Sequence, residues 1–231
     1  MNESFVNIMA RSNPNWIAHT WMDVTESLAR LQEKRTFARA YRSLPNGLYE
    51  RMTGGGLDRN IWMSKTEKDG AVYAYAANLH WWQPTVTLRF SDGAQVRDLI
   101  QDKPVALDDG AWTFTLAPYS IQTFRLTGGE AIEARASIPP DAGAYVGRLV
   151  VETLEKAKDV AAQARQREAE LSGKNGWEAI EELETRIAKL EESVRAADLA
   201  EAYTLTLGAL PIAQQTIERL LRGETIQRIW Q

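Results

Sequence analysis

Residues 47–128 alternate between apolar and polar positions in short runs that turn residues separate. In the clearest run, residues 85–90, Val86, Leu88 and Phe90 fall on one face and polar residues on the other. A half-buried antiparallel strand needs this period of two. Several short strands at intervals of roughly 8–12 residues are typical of a sandwich or barrel. The other segments predicted as strands are 59–63, 71–75, 95–100, 103–107, 112–116 and 121–126, with 121–126 as the last strand.

Three predicted turns, 67–70, 91–93 and 108–110, end in Asp-Gly, a dipeptide that tolerates the left-handed backbone of tight turns. The glycine run that follows Thr53, residues 54–56, is similar in composition to a phosphate-binding loop. It is not followed by Lys-Ser or Lys-Thr, or by a helical pattern, so we interpret it as a turn between strands.

One helix is predicted before these strands. Asp23 is a good N-cap with Glu26 three residues later, as in a capping box. Apolar residues then follow at helical spacing as far as Tyr41, and Leu44-Pro45-Asn46-Gly47 ends the helix.

Helical periodicity dominates after residue 140. Asp141 is placed to cap a helix that runs towards Leu171, and residues 172–176 form a strong break. Because the connection is short, the next helix should pair antiparallel with this one. A third helix is expected after Gly208 and Pro211, with Gly223 as its stop. The second helix carries a heptad seam made of Ile180, Leu183, Ile187, Leu190, Val194 and Ala197.

These patterns predict an α+β, multidomain chain: an antiparallel β-sandwich preceded by a helix and followed by an α-helical hairpin or three-helix region. We expect an N-terminal helical segment at 1–46, the sandwich at 47–130, a linker at 131–140 and the helical hairpin or bundle at 141–231.

Composition and charge argue against several classes of binding partner and several kinds of chemistry. The net charge of −4 argues against nucleic acid or an anionic membrane as the main partner, since both reward a basic surface. No apolar run approaches the roughly 18–20 residues that span a bilayer. The absence of cysteine removes disulfides and thiolate chemistry. Residues 1–8 lack the basic and apolar regions of a signal peptide, so export would need a signal upstream, and the compartment stays open.

Tryptophan supplies the best candidate site. Six of the eight tryptophans fall in the first half of the chain. Their flat rings serve large cores and also stack on sugar rings. If Trp81 and Trp82 lie in a strand, they point to opposite faces, so that one of them reaches the surface. Core packing is the alternative for each tryptophan. The candidate carbohydrate-binding residues are Trp62, His80, Trp81, Trp82 and Trp112.

Catalytic signatures are scarce. The two histidines, His19 and His80, lie far apart, and His19 is four residues from Asp23, which is better interpreted as a helix cap. Acidic residues of the strand region fall mostly in turns, and no pattern marks the facing carboxylate pair that a glycosidase needs. We predict no catalytic residue, no metal site and no cofactor.

Four segments carry a resemblance to a known family: Tyr73 to Leu79, Val86 to Leu88, Val96 to Leu99, and Trp112 to Leu126. The pattern is a strand ending in Asn, a β-branched strand, an Arg-Asp-Leu strand and a closing Leu-x-Pro-Tyr-Ser hairpin that ends in Phe-Arg-Leu. It resembles the C-terminal β-sandwich of bacterial (β/α)8-barrel glycoside hydrolases and covers residues 59–128.

The preceding segment fits the same family. Residues 23–45 are similar to the last helix of such a barrel, and residues 13–16 to a remnant of its final strand. Catalytic carboxylates of these barrels lie on earlier strands, which are absent here. The resemblance therefore implies a non-catalytic accessory region whose partner is a catalytic barrel in cis or in trans. The alternatives are a stand-alone carbohydrate-binding module and a helical interaction protein that forms a homo-oligomer through residues 177–202, unless this seam packs on the preceding helix.

Overall fold

The computed structural model describes residues 6–10, 28–53, 57–171 and 176–224, with side chains from residue 35 onward in the helix that begins at Leu28. The predictions for the Asp23 cap, the barrel-strand remnant, His19, the glycine run 54–56 and most of the break at 172–176 lie outside the described residues. The chain divides into two compact units, Met1–Pro139 and Pro140–Gln231.

The described residues of the first unit form a helical segment at 6–10, one longer helix and nine strands. The helix is α1 (Leu28–Arg42), and the strands are β1 (Glu50–Arg51), β2 (Trp62–Lys68), β3 (Ala71–Ala77), β4 (Thr85–Phe90), β5 (Gln95–Asp98), β6 (Lys103–Pro104), β7 (Ala111–Thr115), β8 (Ile121–Thr127) and β9 (Ala131–Ser137).

Two antiparallel sheets form the sandwich. The larger has the strand order β1-β2-β3-β8-β5-β6, and the smaller has the order β7-β4-β9. Together with the helices on either side in sequence, these sheets confirm the predicted α+β class.

Several strand bounds need correction. The strands expected at 95–100 and 103–107 end at Asp98 and Pro104, and Asp98 Oδ1 accepts from the amides of Ile100 and Gln101 where the chain turns. The strand expected at 59–63 begins at Trp62 and continues to Lys68. The predicted four-residue turn 67–70 is reduced to Asp69 and Gly70, whose φ angles of 52° and 72° give the left-handed backbone of a tight hairpin. Because Asp69 and Gly70 alone make the turn, Glu67 and Lys68 stay in the ladder with β3.

The expected linker 131–140 was also wrong, because Ala131–Ser137 form β9 and pair with β4 along its whole length. The strand 121–126 is therefore the eighth and not the last. Without β9, β4 would be an edge strand carrying a row of unpaired backbone groups.

The space between the two sheets is filled by one apolar core. The face predicted for β4 is confirmed, since Val86 and Leu88 are fully buried and Phe90 nearly so. From the facing sheet, Phe124 and Leu126 point into the same core. The Phe124 ring meets the rings of Phe90 and Trp112 edge to face, with centroids 6.1 and 5.9 Å apart.

The larger sheet is also covered on its other face. There the second core cluster joins Tyr75, Ala77 and Ile121 of the sheet to Phe37, Ala40 and Leu44 from α1 and its end, together with Val6 and Met9 of the helical segment. We call this surface the outer face of the larger sheet. Strand β3 therefore buries residues on both sides, which its composition of alanine and tyrosine allows.

The free edge of β9 is closed by Asp58. Its backbone amide donates to the Ala134 carbonyl at 2.8 Å, and its Oδ2 accepts from the Ala136 amide at 2.9 Å. Its Oδ1 accepts from the Asn60 backbone and side chain, which fixes the carboxylate in place. One residue thus satisfies two groups that would otherwise be open to another strand.

The second unit is helical. Its elements are α2 (Pro140–Gln166), α3 (Glu168–Leu171), α4 (Gly176–Arg195), α5 (Leu199–Leu207) and α6 (Ala209–Leu221). Ion pairs Arg165–Glu184 and Lys158–Glu191 show that α2 and α4 run antiparallel. The predicted stop is confirmed: Gly223 has φ of 82°, and its amide donates to the Leu220 carbonyl.

Four of the six residues of the predicted heptad seam pack inside the helical unit. Ile180, Leu183 and Leu190 are completely buried and Ile187 nearly so. The exposed apolar residues of α4 are Trp177 and Val194, which lie near opposite ends of the helix. Two members of the predicted seam are not buried, since Val194 is exposed and Ala197 lies exposed beyond the end of α4, so an oligomer through 177–202 would have only this end of the seam available. No helix within the described residues is both long and apolar enough to cross a membrane.

Candidate functional site

Two loops meet at one end of the sandwich. The β3–β4 loop, residues 78–84, is joined to the β7–β8 loop, residues 116–120, by three backbone hydrogen bonds. The amide of Leu116 donates to the Pro84 carbonyl at 3.0 Å, that of Tyr119 to the His80 carbonyl at 3.2 Å, and that of Asn78 to the Ser120 carbonyl at 2.9 Å. We call this pair of loops the aromatic corner.

Asn78 holds the aromatic corner together from inside. Its side chain is almost completely buried, and its Nδ2 donates to the carbonyls of Trp82 at 2.6 Å and Ala117 at 3.1 Å. Its Oδ1 accepts from the His80 amide at 3.0 Å. A buried carboxamide with these three bonds fixes the course of both loops, because each lost bond would leave a buried group unsatisfied.

The aromatic side chains of this corner form an ordered group. The rings of His80 and Trp82 stack in parallel, with centroids 4.2 Å apart and an interplanar angle of 4°. Trp81 meets Trp82 at 85°, with centroids 5.5 Å apart. His80 and Trp82 are buried, whereas Trp81 is 38% exposed. The two tryptophans lie in a bend and not in a strand. The difference in their exposure therefore comes from the bend and not from strand alternation.

The other two predicted residues lie elsewhere. Trp62 packs with the outer-face cluster, donates from Nε1 to Ser64 Oγ at 3.1 Å, and has the Arg51 guanidinium 3.8 Å above its ring. Trp112 packs against the core between the sheets and contacts Phe114 and Phe124. The structure therefore brings together three of the five predicted residues, His80, Trp81 and Trp82.

Tyr119 belongs to the same corner and was missed from the sequence. Its φ of 49° lies in the left-handed region, where a bulky side chain is uncommon. Its backbone amide is bonded to the residue that precedes Trp81. Pro118 marks the turn in the sequence, but no residue type there signals a left-handed backbone at a tyrosine.

The two loops of the aromatic corner and the strand ends that join them contain no charged residue. Residues 71–88 and 111–124 contain no Asp, Glu, Lys or Arg, although a quarter of the whole chain is charged. The hydrogen-bonding groups at this end of the sandwich come from neutral side chains such as Gln83 and Ser120, and from the backbone. Their absence of charge is a sequence signal that could have located the site.

Several ionisable groups elsewhere in the first unit have shifted pKa values. Burial raises the pKa of Tyr75 and of Tyr49 on the outer face. On the surface, the Arg97 guanidinium lowers the pKa of the Asp102 carboxyl. Within the part of the chain that the structure describes, no group of three or more His, Asp or Glu side chains is arranged to hold a metal ion.

Comparisons with known proteins give matches among solved structures. No protein-family model and no curated protein matches the chain. It is similar to an α-amylase from Anoxybacillus (17% identity, TM-score 0.34), which it covers by 24% with 46% of its own length. It is also similar to a glycoside hydrolase family 30 subfamily 8 xylanase from Clostridium acetobutylicum (15% identity, TM-score 0.33, 38% of that chain and 55% of this one).

A third similar structure is α-galactosidase I from Mortierella vinacea, at 12% identity and a TM-score of 0.30, with 25% of that chain and 38% of this one covered. These similar structures are glycoside hydrolases. The chain spans less than two fifths of each of them.

Proposed function

We propose that this chain is the non-catalytic, structural C-terminal part of a glycoside hydrolase-like protein. In this role the sandwich holds α1, which is the last helix of a catalytic (β/α)8 barrel. The rest of the barrel belongs to the same polypeptide or to a separate one. The proposal joins the sequence resemblance of residues 59–128 to one structural observation, the second apolar face of the larger sheet.

That outer face is built to hold a helix. Ala40 of α1 is 1% exposed, and Phe37 beside it is buried in the same cluster. After the helix, Ser43 Oγ lies 2.8 Å from Thr123 Oγ1, a hydroxyl on β8 that is itself completely buried. A sheet that served only the core between the two sheets would expose this face to water, with polar residues on it.

A structural role also accounts for the buried polar groups of the sandwich. Ser64 accepts from Trp62, Asp98 accepts from the amides of Ile100 and Gln101, and Asn78 and Thr123 have the partners given above. These side chains serve turns and loop connections, whereas catalytic groups must keep a bonding position for substrate.

The gene supplies the first test. We expect the DNA immediately upstream of the codon for Met1 to encode a (β/α)8 barrel, in frame or in an adjacent reading frame. A flanking sequence without any such region would contradict the proposal. Turnover of aryl glycosides by the purified chain, above a heat-inactivated control, would contradict its non-catalytic part.

The docking of α1 is tested by a buried charge. Ala40→Glu should release the helix from the outer face, because burying an unpaired carboxylate is costly. Limited proteolysis should then cut between α1 and β1. The matched control is Arg35→Glu at an exposed position of the same helix, which should remain as resistant as the wild type. Equal resistance of both variants would show that the outer face does not hold α1.

A further inference from the structure

We infer that the cleft between α2 and α6 of the helical unit binds a small organic amine, whose ammonium group Gln214 and Glu152 hold. The cleft is open to solvent and has a volume of about 470 Å³, which is in the range of small-molecule sites. It lies within the second unit alone, so the inference does not depend on the proposed role of the sandwich.

Gln214 of α6 provides the central group of this cleft. The residue lines the cleft although it is only 6% exposed. Its Nε2 donates to Glu218 Oε1 at 2.7 Å, which fixes the orientation of the carboxamide. Its Oε1 has no hydrogen-bond donor among the described residues. Because buried oxygens normally have such a partner, a ligand that brings a donor into the cleft would satisfy this one.

The carboxylates around this oxygen favour an amine. Glu152 lines the cleft from α2 and forms no ion pair within the described residues. Glu218 lines it from α6, and its pKa lies below the usual value, first because Gln214 donates to it and also because Lys156 is near. An ammonium group has three N–H donors and no acceptor, which matches an amide oxygen flanked by carboxylates on two helices.

Lys156 shows that the cleft already attracts an ammonium group. Its Nζ lies 3.6 Å from Glu218 Oε1, longer than the roughly 2.7–2.9 Å of a strong charge-assisted hydrogen bond. The Lys156 side chain is 66% exposed and contacts only this carboxylate, so it leaves the Gln214 oxygen unpaired. A free amine would gain both the carboxylates and the buried amide oxygen.

Other classes of ligand fit the cleft less well. A hard metal ion such as Ca²⁺ takes roughly six to eight oxygen ligands, and no group of three or more His, Asp or Glu side chains within the described residues could hold one. A neutral ligand would leave the excess of carboxylate over ammonium uncompensated, since two glutamates and one lysine line the cleft.

The experiment is a calorimetric titration of the full chain with spermidine. We expect saturable binding that weakens at high salt, because the contact is between charges. Gln214→Met keeps most of the side-chain volume, removes the acceptor and should weaken binding about tenfold. Glu152→Gln should weaken it by a similar factor. The matched control is Glu155→Gln, which removes the same charge from an exposed position of α2 outside the cleft and should bind like the wild type.

Lys156→Gln distinguishes an amine from other ligands. It removes the competing ammonium group and should strengthen spermidine binding, whereas it would weaken the binding of an anion. Absence of spermidine binding, equal weakening by Glu152→Gln and Glu155→Gln, or weaker binding by Lys156→Gln would each overturn the inference. Saturable binding of calcium chloride or glucose in place of spermidine would do the same. None of these outcomes bears on the protease test of α1, so the two proposals fail separately.

Discussion

The two units of this chain differ in where their charged residues lie, although both have surface ion pairs. In the sandwich, residues 71–88 and 111–124, which form β3, β7 and most of β4, contain no Asp, Glu, Lys or Arg, and the cores join strands far apart in sequence. The helical unit places charges along every helix and links them by surface ion pairs such as Arg165–Glu184 and Lys158–Glu191. The comparison teaches that the stability of the sandwich depends mainly on buried contacts. The helical unit combines a buried apolar seam with ion pairs on its surface.

The largest expected effect is a cavity in the core of the sandwich. Phe124→Ala should lower the free energy of unfolding by about 3–5 kcal/mol, because the ring is completely buried between two sheets. Urea unfolding followed by tryptophan fluorescence measures it. Phe124→Leu, which keeps most of the volume, should cost less. A loss below about 1 kcal/mol for the alanine variant would break the comparison.

The next effect concerns buried polar groups. Asn78→Ala should cost about 2–3 kcal/mol, because it removes the partner of the Trp82 carbonyl and of the His80 amide and one of the two donors to the Ala117 carbonyl. Ser193→Ala in α4 should cost less than about 0.5 kcal/mol, since its hydroxyl bonds only to the Lys189 carbonyl of its own helix. Thermal unfolding of both variants checks the pair, and equal losses would contradict the contrast.

A smaller effect is expected at the free edge of β9. The helical unit offers no counterpart, because helices have no strand edge. Asp58→Ala should cost about 1–2 kcal/mol and expose backbone groups of β9. Light scattering at increasing protein concentration should show self-association that the wild type does not show. Asp58→Asn retains one carbonyl oxygen and should lie between the two. A variant that stays monomeric would show that Asp58 does not protect the edge.

The smallest effect on stability at neutral pH is expected for the ionisable residues. Their titration should destabilise the two units at opposite ends of the pH range. Burial raises the pKa of Tyr49 and Tyr75 above the ordinary value of 10.0, so the folded sandwich binds more protons and loses stability as pH rises above 10. Hydrogen bonding to Arg165 and Lys158 lowers the pKa of Glu184 and Glu191 below 4.5. The stability that they add to the helical unit is lost as pH falls below that value.

One variant for each end of the pH range tests which residue causes the loss of stability there. Tyr75→Phe should flatten the loss of stability above pH 10, and Glu184→Gln should flatten the loss below pH 4.5. Unfolding midpoints at pH 3.5, 7 and 11 provide the measurement. Slopes that neither variant alters would refute the assignment of these groups.

Local patterns predicted most of the individual elements. The face of β4, the Gly223 stop and the packing positions of the α4 seam follow from periods of two and 3.6 residues that a short window contains. Strand β9 was missed because its inner positions hold alanines such as Ala134 and Ala136, which give little hydrophobic alternation. It becomes a strand through pairing with β4, a contact that no local window contains.

The candidate site was less predictable than the strands. Sequence reasoning selected the His80-Trp81-Trp82 group but could not decide which indole is buried, because Asn78 sets the course of the loop through bonds to Trp82 and Ala117. It also placed Trp62 and Trp112 with them, although these pack in two different clusters. Tyr119 enters the corner through a turn that is 39 residues from His80 and bonds to it.

The position of β4 at the centre of the smaller sheet has a consequence for synthesis on the ribosome. Both of its neighbours, β7 and β9, are translated after it. During the time that separates their emergence, β4 has no partner in its own sheet, and an unpaired strand with one apolar face is prone to associate with other nascent chains. A chain that stalls before Ser137 therefore leaves one side of β4 open, which would make it a natural substrate for chaperones and proteases.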